Sequence, residues 1–165
     1  MRILVLSDTH IPVNAEHIPE PVLAEAKNCE LCIHAGDFID YSVYETLSSL
    51  VRTIGVCGNM DNDSIRRKLP GKKIITVEDI KIGITHGRGA PDTLVNYVQN
   101  LFAGEWDDLD MIIFGHSHQA LDKTINGKHF FNPGSCTDTM FAPFNSYGIL
   151  EINKKEIHSK IIRLD

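Results

Sequence analysis

The sequence predicts an α/β fold, a layered sheet core covered by helices, with functional residues gathered at the carboxyl ends of strands. Three observations lead there. Short continuous apolar runs, such as Ile3-Leu4-Val5-Leu6 and Met111-Ile112-Ile113, lack the alternation of a half-solvated strand and mark strands covered on both faces. Helical stretches separate the first three runs, a β-α-β-α-β order that places helices against a sheet. The segments just after the runs carry Asp, Asn and His, and folds of this class bind ligands beyond the carboxyl ends of their strands.

Residues 2–7 read as the first buried strand. A loop with Pro12 and Asn14 follows, then Pro19 and Pro21 suit a helix start and residues 22–27 read as helix. Residues 30–34 form the second strand, ending in Ala35-Gly36-Asp37. Asp40 or Ser42 is placed to cap a short helix over residues 41–50. The third strand, Thr53-Ile54-Gly55-Val56-Cys57, ends in Gly58-Asn59-Met60-Asp61. Arg66-Arg67-Lys68 reads as a solvated basic face before the Pro70-Gly71 turn. Residues 73–77 and 80–85 pair as a hairpin around Glu78-Asp79, and the second strand ends in His86-Gly87-Arg88-Gly89. Pro91-Asp92 opens a helix in which Leu94, Val95, Val98, Leu101 and Phe102 keep helical spacing. The strand at 110–114 runs into Gly115-His116-Ser117-His118. Strands at 119–125 and 128–131 flank Asn126-Gly127, a two-residue hairpin signal. After Asn132-Pro133-Gly134-Ser135, strands at 146–152 and 156–163 flank Asn153-Lys154.

At 165 residues the chain suffices for one domain, 1–165, with a core of its own. Its net charge of −6 argues against the basic face that extended nucleic acids require, while leaving small phosphate compounds open. No apolar stretch approaches the roughly 18–20 residues of a membrane span, so no membrane partner is expected. Arg2 leads straight into a strand-like run and Asp8, which is not the pattern of a signal peptide, and a cytoplasmic location is the expectation. Cys29-Glu-Leu-Cys32 has the spacing of half a zinc site or a redox pair, but no second pair answers it. Cys32 also lies within Leu31-Cys32-Ile33, where a small buried hydrophobe is expected.

The chemistry-bearing residues are Asp8, His10, Asp37, Asn59, His86, His116 and His118, each just after an apolar strand. Asp8-x-His10 and His116-x-His118 are spaced i, i+2, and in extended backbone each pair points to one face and reaches one ion. Seven N/O ligands exceed one tetrahedral zinc and suit two ions sharing a carboxylate. Imidazole and carboxylate without thiolate favour Mn, Fe, Co, Ni or Zn over Ca or Mg. Gly36, Gly58, Gly87 and Gly115 beside the motifs allow sharp turns and close backbone approach. His34, inside a strand, is expected to orient Asp37 from behind. Tyr41 and Tyr44 are candidates for the pocket wall, and His17, His129 and His158 carry no motif.

The ordered set resembles the calcineurin-like metallophosphoesterases, whose signature runs D-x-H, G-D, G-N-x-D/E, a strand-end His and G-H-x-H. The matching residues are Asp8-Thr9-His10, Gly36-Asp37, Gly58-Asn59-Met60-Asp61, His86 and Gly115-His116-Ser117-His118. The short chain and Asn132-Pro133-Gly134-Ser135 look like the small bacterial and archaeal phosphodiesterase branch, to which the retromer scaffold subunit also belongs. The resemblance implies a β-sandwich of two mixed sheets flanked by helices. It also implies two divalent cations, Mn first, with Ni, Fe, Co, Zn or Mg as other candidates. Asp8, His10 and His118 would hold one; Asn59, His86 and His116 the other; Asp37 would bridge. Such ions, about 3.5–4 Å apart, acidify a bridging water and hold it in line with phosphorus. Asp37, Asn59 and His116 would then act through the metals, and Arg88 and Asn59 would contact the substrate.

Met60 departs from the pattern, since many members of the family carry a His there that protonates the leaving group. Asp40 matches an Asp that elsewhere pairs with that His, and without its partner it reads as a helix cap. The expected function is hydrolysis of a small phosphate diester with a good leaving group. The alternatives are a binding scaffold of the same fold, a phosphomonoesterase or a nuclease; homo-oligomerisation stays open.

Overall fold

The computed structural model describes residues 1–164. Ten strands and four α-helices run in the order β1 (Arg2–Leu6), α1 (Glu20–Ala26), β2 (Leu31–His34), α2 (Ser42–Leu50), β3 (Thr53–Gly55), α3 (Asp63–Lys68), β4 (Lys72–Val77), β5 (Ile80–Thr85), α4 (Leu94–Leu101), β6 (Met111–Ile113), β7 (Leu121–Ile125), β8 (Lys128–Asn132), β9 (Ser146–Asn153) and β10 (Glu156–Arg163), with a 3-10 turn at Trp106–Asp108. The expected elements are present, and α3 is one the periodicity did not announce. Six residues are too short for a hydrophobic period. Asn62 caps α3, its side chain accepting from the Ile65 N–H at 3.1 Å.

The strands form two five-stranded mixed sheets, ordered β10-β9-β1-β2-β3 and β4-β5-β6-β8-β7. In the first, β1, β2 and β3 are parallel, and β9 runs antiparallel between β1 and β10. In the second, β5, β6 and β8 are parallel, with β4 and β7 antiparallel at the edges. The parallel triplets β1-β2-β3 and β5-β6-β8 each send their carboxyl ends to one edge.

Strand alternation sorts the core into layers. Ile3, Val5, Leu31 and Ile33 of the first sheet meet Ile82, Ile84, Met111 and Ile113 of the second between the sheets. Leu4, Leu6 and Cys32 point the other way, onto Val22, Val43, Leu47 and Ile65 of α1, α2 and α3. Leu94, Val98 and Phe102 of α4 cover Ile112, Phe114 and Phe130 on the far face of the second sheet. Both faces of β1, β2 and β6 are covered, which is why they read as unbroken apolar runs. At about 1.5–3 kcal/mol for each large side chain buried, these three layers fix the register that aligns the strand ends. Among the described residues no helix is long and apolar enough to cross a membrane.

Candidate metal centre

The residues after β1, β2, β3, β5 and β6 meet where the carboxyl edges of the two sheets come together. They do not arrive in extended backbone. Asp8, His10, Asp37, His116 and His118 have φ of 53°, 43°, 60°, 70° and 57°. The expectation that i, i+2 pairs share a face by strand alternation is therefore corrected: each pair is aimed by successive left-handed turns. Such φ values are costly for residues with a Cβ and persist only where the surroundings over-determine them. Hydrogen bonds supply that constraint. The Asp8 N–H donates to the Gly36 carbonyl at 3.0 Å, and the His10 N–H to the Asp37 carbonyl at 3.0 Å. Gly58 is needed for a different reason: a Cβ there would lie 2.1 Å from Asp37 Oδ1.

The ring nitrogens of three histidines define the centre. His86 Nδ1 donates to the Ala35 carbonyl (2.8 Å), His116 Nε2 to the Gly89 carbonyl (2.9 Å) and His118 Nδ1 to Asp138 Oδ2 (2.5 Å). Since these partners only accept, the other nitrogen of each ring is the one turned toward the centre. Those nitrogens face oxygens. His86 Nε2 lies 3.1 Å from Asn59 Oδ1 and 3.1 Å from Asp37 Oδ2. His116 Nδ1 is 3.0 Å from Asn59 Oδ1, and His118 Nε2 is 3.3 Å from Asp8 Oδ1. His10 Nε2 sits 3.3 Å from Asp37 Oδ2 and 3.8 Å from Asp8 Oδ1. A divalent ion among these nitrogens and oxygens would satisfy all of them at once.

Two compact donor groups result, Asp8 with His10 and His118, and Asp8 with Asp37 and His86, each with its ligand atoms within 4.8 Å of one another. Asp37 Oδ2 lies between His10 and His86, and Asn59 Oδ1 lies between His86 and His116. All seven predicted residues are thus brought together.

The electrostatics carry the same demand for positive charge. Burial pushes the Asp8 carboxyl up, but His86, His10 and His118 override it and hold it far below the usual carboxylate range. Burial likewise opposes ionisation of Asp37, and the facing His10 and His86 again win. The reciprocal effect raises His10 and His86 to about 9 against a burial penalty, through Asp37 and Asp8. Asp8 Oδ1 and His10 Nε2 are buried without any hydrogen-bond partner among the described residues. An orphaned carboxylate oxygen facing an orphaned imidazole nitrogen fits a divalent ion, because leaving both bare costs several kcal/mol.

Several residues that hold the centre in place were not singled out in the sequence. Asp138 orients His118 and also accepts from the N–H groups of Met140 (2.8 Å), Phe141 (3.1 Å) and Ala142 (2.8 Å). Asp61 is buried and accepts from Asp37 (3.0 Å), Ile39 (2.8 Å) and Gly58 (2.7 Å), tying the β2 and β3 loops together. After β8, Ser135 Oγ donates to the Asp8 carbonyl, Thr137 Oγ1 to the Thr9 carbonyl, and Asn132 Nδ2 to the Gly115 carbonyl. A carboxylate three residues beyond Asn-Pro-Gly-Ser was the available signal for Asp138.

Other expectations need correction. Arg66 is not merely solvated: Nε donates to the Asp61 carbonyl (2.8 Å) and Nη2 to the Asn59 carbonyl (2.7 Å), bracing the ligand loop from α3. Lys68 lies 3.6 Å over the Tyr41 ring. His34 does not touch Asp37. Its Nδ1 accepts from the Gly36 N–H (3.2 Å), its Nε2 meets Thr9 Oγ1 (3.1 Å), and it stacks on Phe38, so it supports the two turns. Tyr41 and Tyr44 stack on each other beside the helix-side core instead of lining the centre. The cap expected of Asp40 or Ser42 is corrected: Tyr41 stands at the N-cap of α2 without a side-chain cap bond, and Asp40, one residue earlier, accepts from the Ser42 N–H (2.8 Å). Met60 is exposed, its N–H donating to Asp37 Oδ1 (2.8 Å). Arg88 is exposed at a cleft shared with Asn59 and His86. His129 pairs with Asp122 at 2.6 Å, away from the centre, and all four cysteines are free.

Comparison with known proteins gives a consistent picture. The profile of the Calcineurin-like phosphoesterase superfamily domain matches residues 1–155. A probable metallophosphoesterase of Methanocaldococcus jannaschii is 33% identical over 168 residues, covering 100% of this chain and 82% of the relative. A phosphodiesterase of the same organism is 26% identical, covering 98% of this chain and 99% of the relative. Among solved structures, Vps29 from Entamoeba histolytica in complex with zinc superimposes with a TM-score of 0.76 at 28% identity, covering 100% of this chain and 99% of that one.

Proposed function

The chain belongs to the calcineurin-like phosphoesterase superfamily, and we propose that it is a phosphodiesterase in which one domain, 1–165, holds two divalent ions. The observation that supports this reading is the set of ring nitrogens of His86, His116 and His118 turned toward the oxygens of Asp37, Asn59 and Asp8. Asp8, His10 and His118 would hold one ion and Asn59, His86 and His116 the other, with Asp37 available to both. Mn fits this imidazole and carboxylate set, as do Ni, Fe, Co and Zn, with Mg a weaker match. When bound, such ions supply Lewis acidity toward phosphoryl oxygens and activate water for attack on phosphorus.

The side chains do the rest. Asp138 keeps the Nε2 lone pair of His118 turned inward, as carboxylates behind ligating histidines do. Arg88, whose planar fork suits two hydrogen bonds, contacts a phosphate group of the substrate. As the bond from phosphorus to the leaving oxygen breaks, that oxygen takes the electron pair and needs a proton. Met60 offers none, so the reading favours diesters whose leaving group departs as an anion.

Hydrolysis of bis(4-nitrophenyl) phosphate and of 4-nitrophenyl phosphate, after loading with Mn, Ni, Zn or Mg, tests this. Faster diester turnover with at least one metal is the expected result; a faster monoester would replace phosphodiesterase with phosphomonoesterase. A second reading, a binding scaffold of the same fold, draws on the likeness to Vps29 and on the exposed Val13, Met60, Met140 and Phe141. Metal uptake without any turnover selects it.

A further inference from the structure

Two grooves adjoin the centre on either side of the Gly87-Arg88-Gly89 turn, and their walls differ in charge. The larger, about 680 Å³, runs past Asn59 and His86 and is lined by Arg66, Lys72 and Arg88. None of its lining residues is acidic, in a chain whose net charge is −6. Lys72 is already engaged, its Nζ donating to the Leu101 carbonyl (2.9 Å) and Glu105 Oε2 (2.8 Å). Arg66 uses Nε and Nη2 on the Asn59 loop, which leaves Nη1 without a protein partner among the described residues. Arg88 donates to no protein group among them. Two guanidinium groups therefore face this cleft with hydrogen-bonding capacity to spare, beside the ligand oxygens of Asn59.

The second groove, about 320 Å³, runs past His116 and His118 to Pro91 and Phe141 and has no Lys, Arg, Asp or Glu in its wall. Phe141 is 68% exposed, yet it is not loose. Its N–H donates to Asp138 Oδ2 at 3.1 Å, and its ring stands edge-on to the His118 imidazole at 6.0 Å. An exposed aromatic ring anchored through the carboxylate that orients a ligand histidine is a preformed apolar platform at the reacting centre.

We propose that the substrate is an unsymmetrical phosphodiester, with one arm bearing a further anionic group between Arg66 and Arg88 and the other ending in an apolar ring against Phe141. This rests on the phosphodiesterase reading and adds the chemical class of both ester arms. On a chain of net charge −6, a cleft whose wall has cations and no carboxylates favours an anionic arm.

The test compares thymidine 5′-(4-nitrophenyl phosphate) with its 3′-phosphorylated counterpart on the Mn-loaded protein, reading released 4-nitrophenolate. The 3′-phosphate lowers KM about tenfold, the size of one charge-assisted contact. Arg88→Ala brings the ratio of kcat/KM for the two diesters close to one. Phe141→Ala raises KM for both about fivefold, since both carry the ring. Calorimetry provides the readout that needs no turnover: the protein binds thymidine 3′,5′-bisphosphate more tightly than thymidine 5′-phosphate, and Arg88→Ala removes the difference. Turnover with no preference for the 3′-phosphate, or with a preference that survives Arg88→Ala, overturns the assignment of the cleft and leaves the phosphodiesterase reading standing. A KM unmoved by Phe141→Ala overturns the assignment of the ring. A calorimetric preference lost in Arg88→Ala but without turnover keeps the cleft and sinks the phosphodiesterase reading. Neither turnover nor a preference in binding overturns both.

Discussion

His118 donates its Nδ1–H to Asp138 Oδ2 at 2.5 Å, and this bond decides that Nε2 is the nitrogen facing Asp8 Oδ1 at 3.3 Å. The pair links the loop after β6 to the loop before β9, and it fixes which nitrogen of the imidazole is turned toward the centre. Asp138→Asn keeps an acceptor oxygen but weakens that control. Metal affinity, measured by competition with a chromophoric chelator, is expected to fall roughly 10–100-fold, with a much smaller change in thermal midpoint. An unchanged affinity would show that His118 is oriented without Asp138.

Asp37 lies between His10 and His86, at 3.3 Å and 3.1 Å. Asp37→Ala is expected to abolish turnover and to lower the metal content measured by elemental analysis from two ions per chain. His116→Ala, at the Asn59 side, is expected to abolish turnover as well. Two ions still bound to Asp37→Ala at full occupancy would mean that this carboxylate is not shared.

Met60 is 55% exposed beside Asp37, whose Oδ1 accepts its N–H. A histidine there restores a proton donor without crowding the core. Met60→His is expected to accelerate hydrolysis of a diester with an alkyl leaving group by about 10²-fold, the lower end of general acid catalysis, and to change the 4-nitrophenyl diester little. Equal effects on both esters would count against a missing acid.

Acid stability offers a test remote from turnover. His34 is fully buried, and burial pushes its imidazole down to about 3. Between about pH 6.5 and that value the unfolded chain binds a proton that the folded His34 refuses. Its contribution is complete above pH 6.5 and is lost as pH falls, by up to about 1.4 kcal/mol per unit. His34→Gln sacrifices the stack on Phe38 but flattens the acid limb of a denaturant-derived stability profile by up to one proton. Parallel limbs for the two proteins would refute a neutral His34.

Loading the centre should also be visible as stability. Without a metal, Asp8 Oδ1 and His10 Nε2 lack a hydrogen-bond partner among the described residues, so chelator treatment is expected to lower the thermal midpoint, and saturating Mn to raise it by the linkage of binding to folding. A midpoint indifferent to metal would deny that these groups bind it.

The sequence by itself determined the layered strands and the residue types at their ends, because both are local. Apolar periodicity declares a covered strand, and parallel strands must deliver their carboxyl ends to one edge; the positions of Asp8, Asp37, Asn59, His86, His116 and His118 follow. Only the tertiary structure decided how those side chains turn inward. The left-handed φ of Asp8, His10, Asp37, His116 and His118 is imposed by bonds between loops far apart in the chain, such as Ser135 on Asp8, and no local pattern specifies it. The same holds for Asp61, Arg66 and Asp138, whose roles exist only because folding brings β3, α3 and the loop before β9 against the ligand turns. The kind of donor is a property of residue type, whereas charge and the division into a basic cleft and an uncharged groove are properties of neighbours, and neighbours are set by long-range packing.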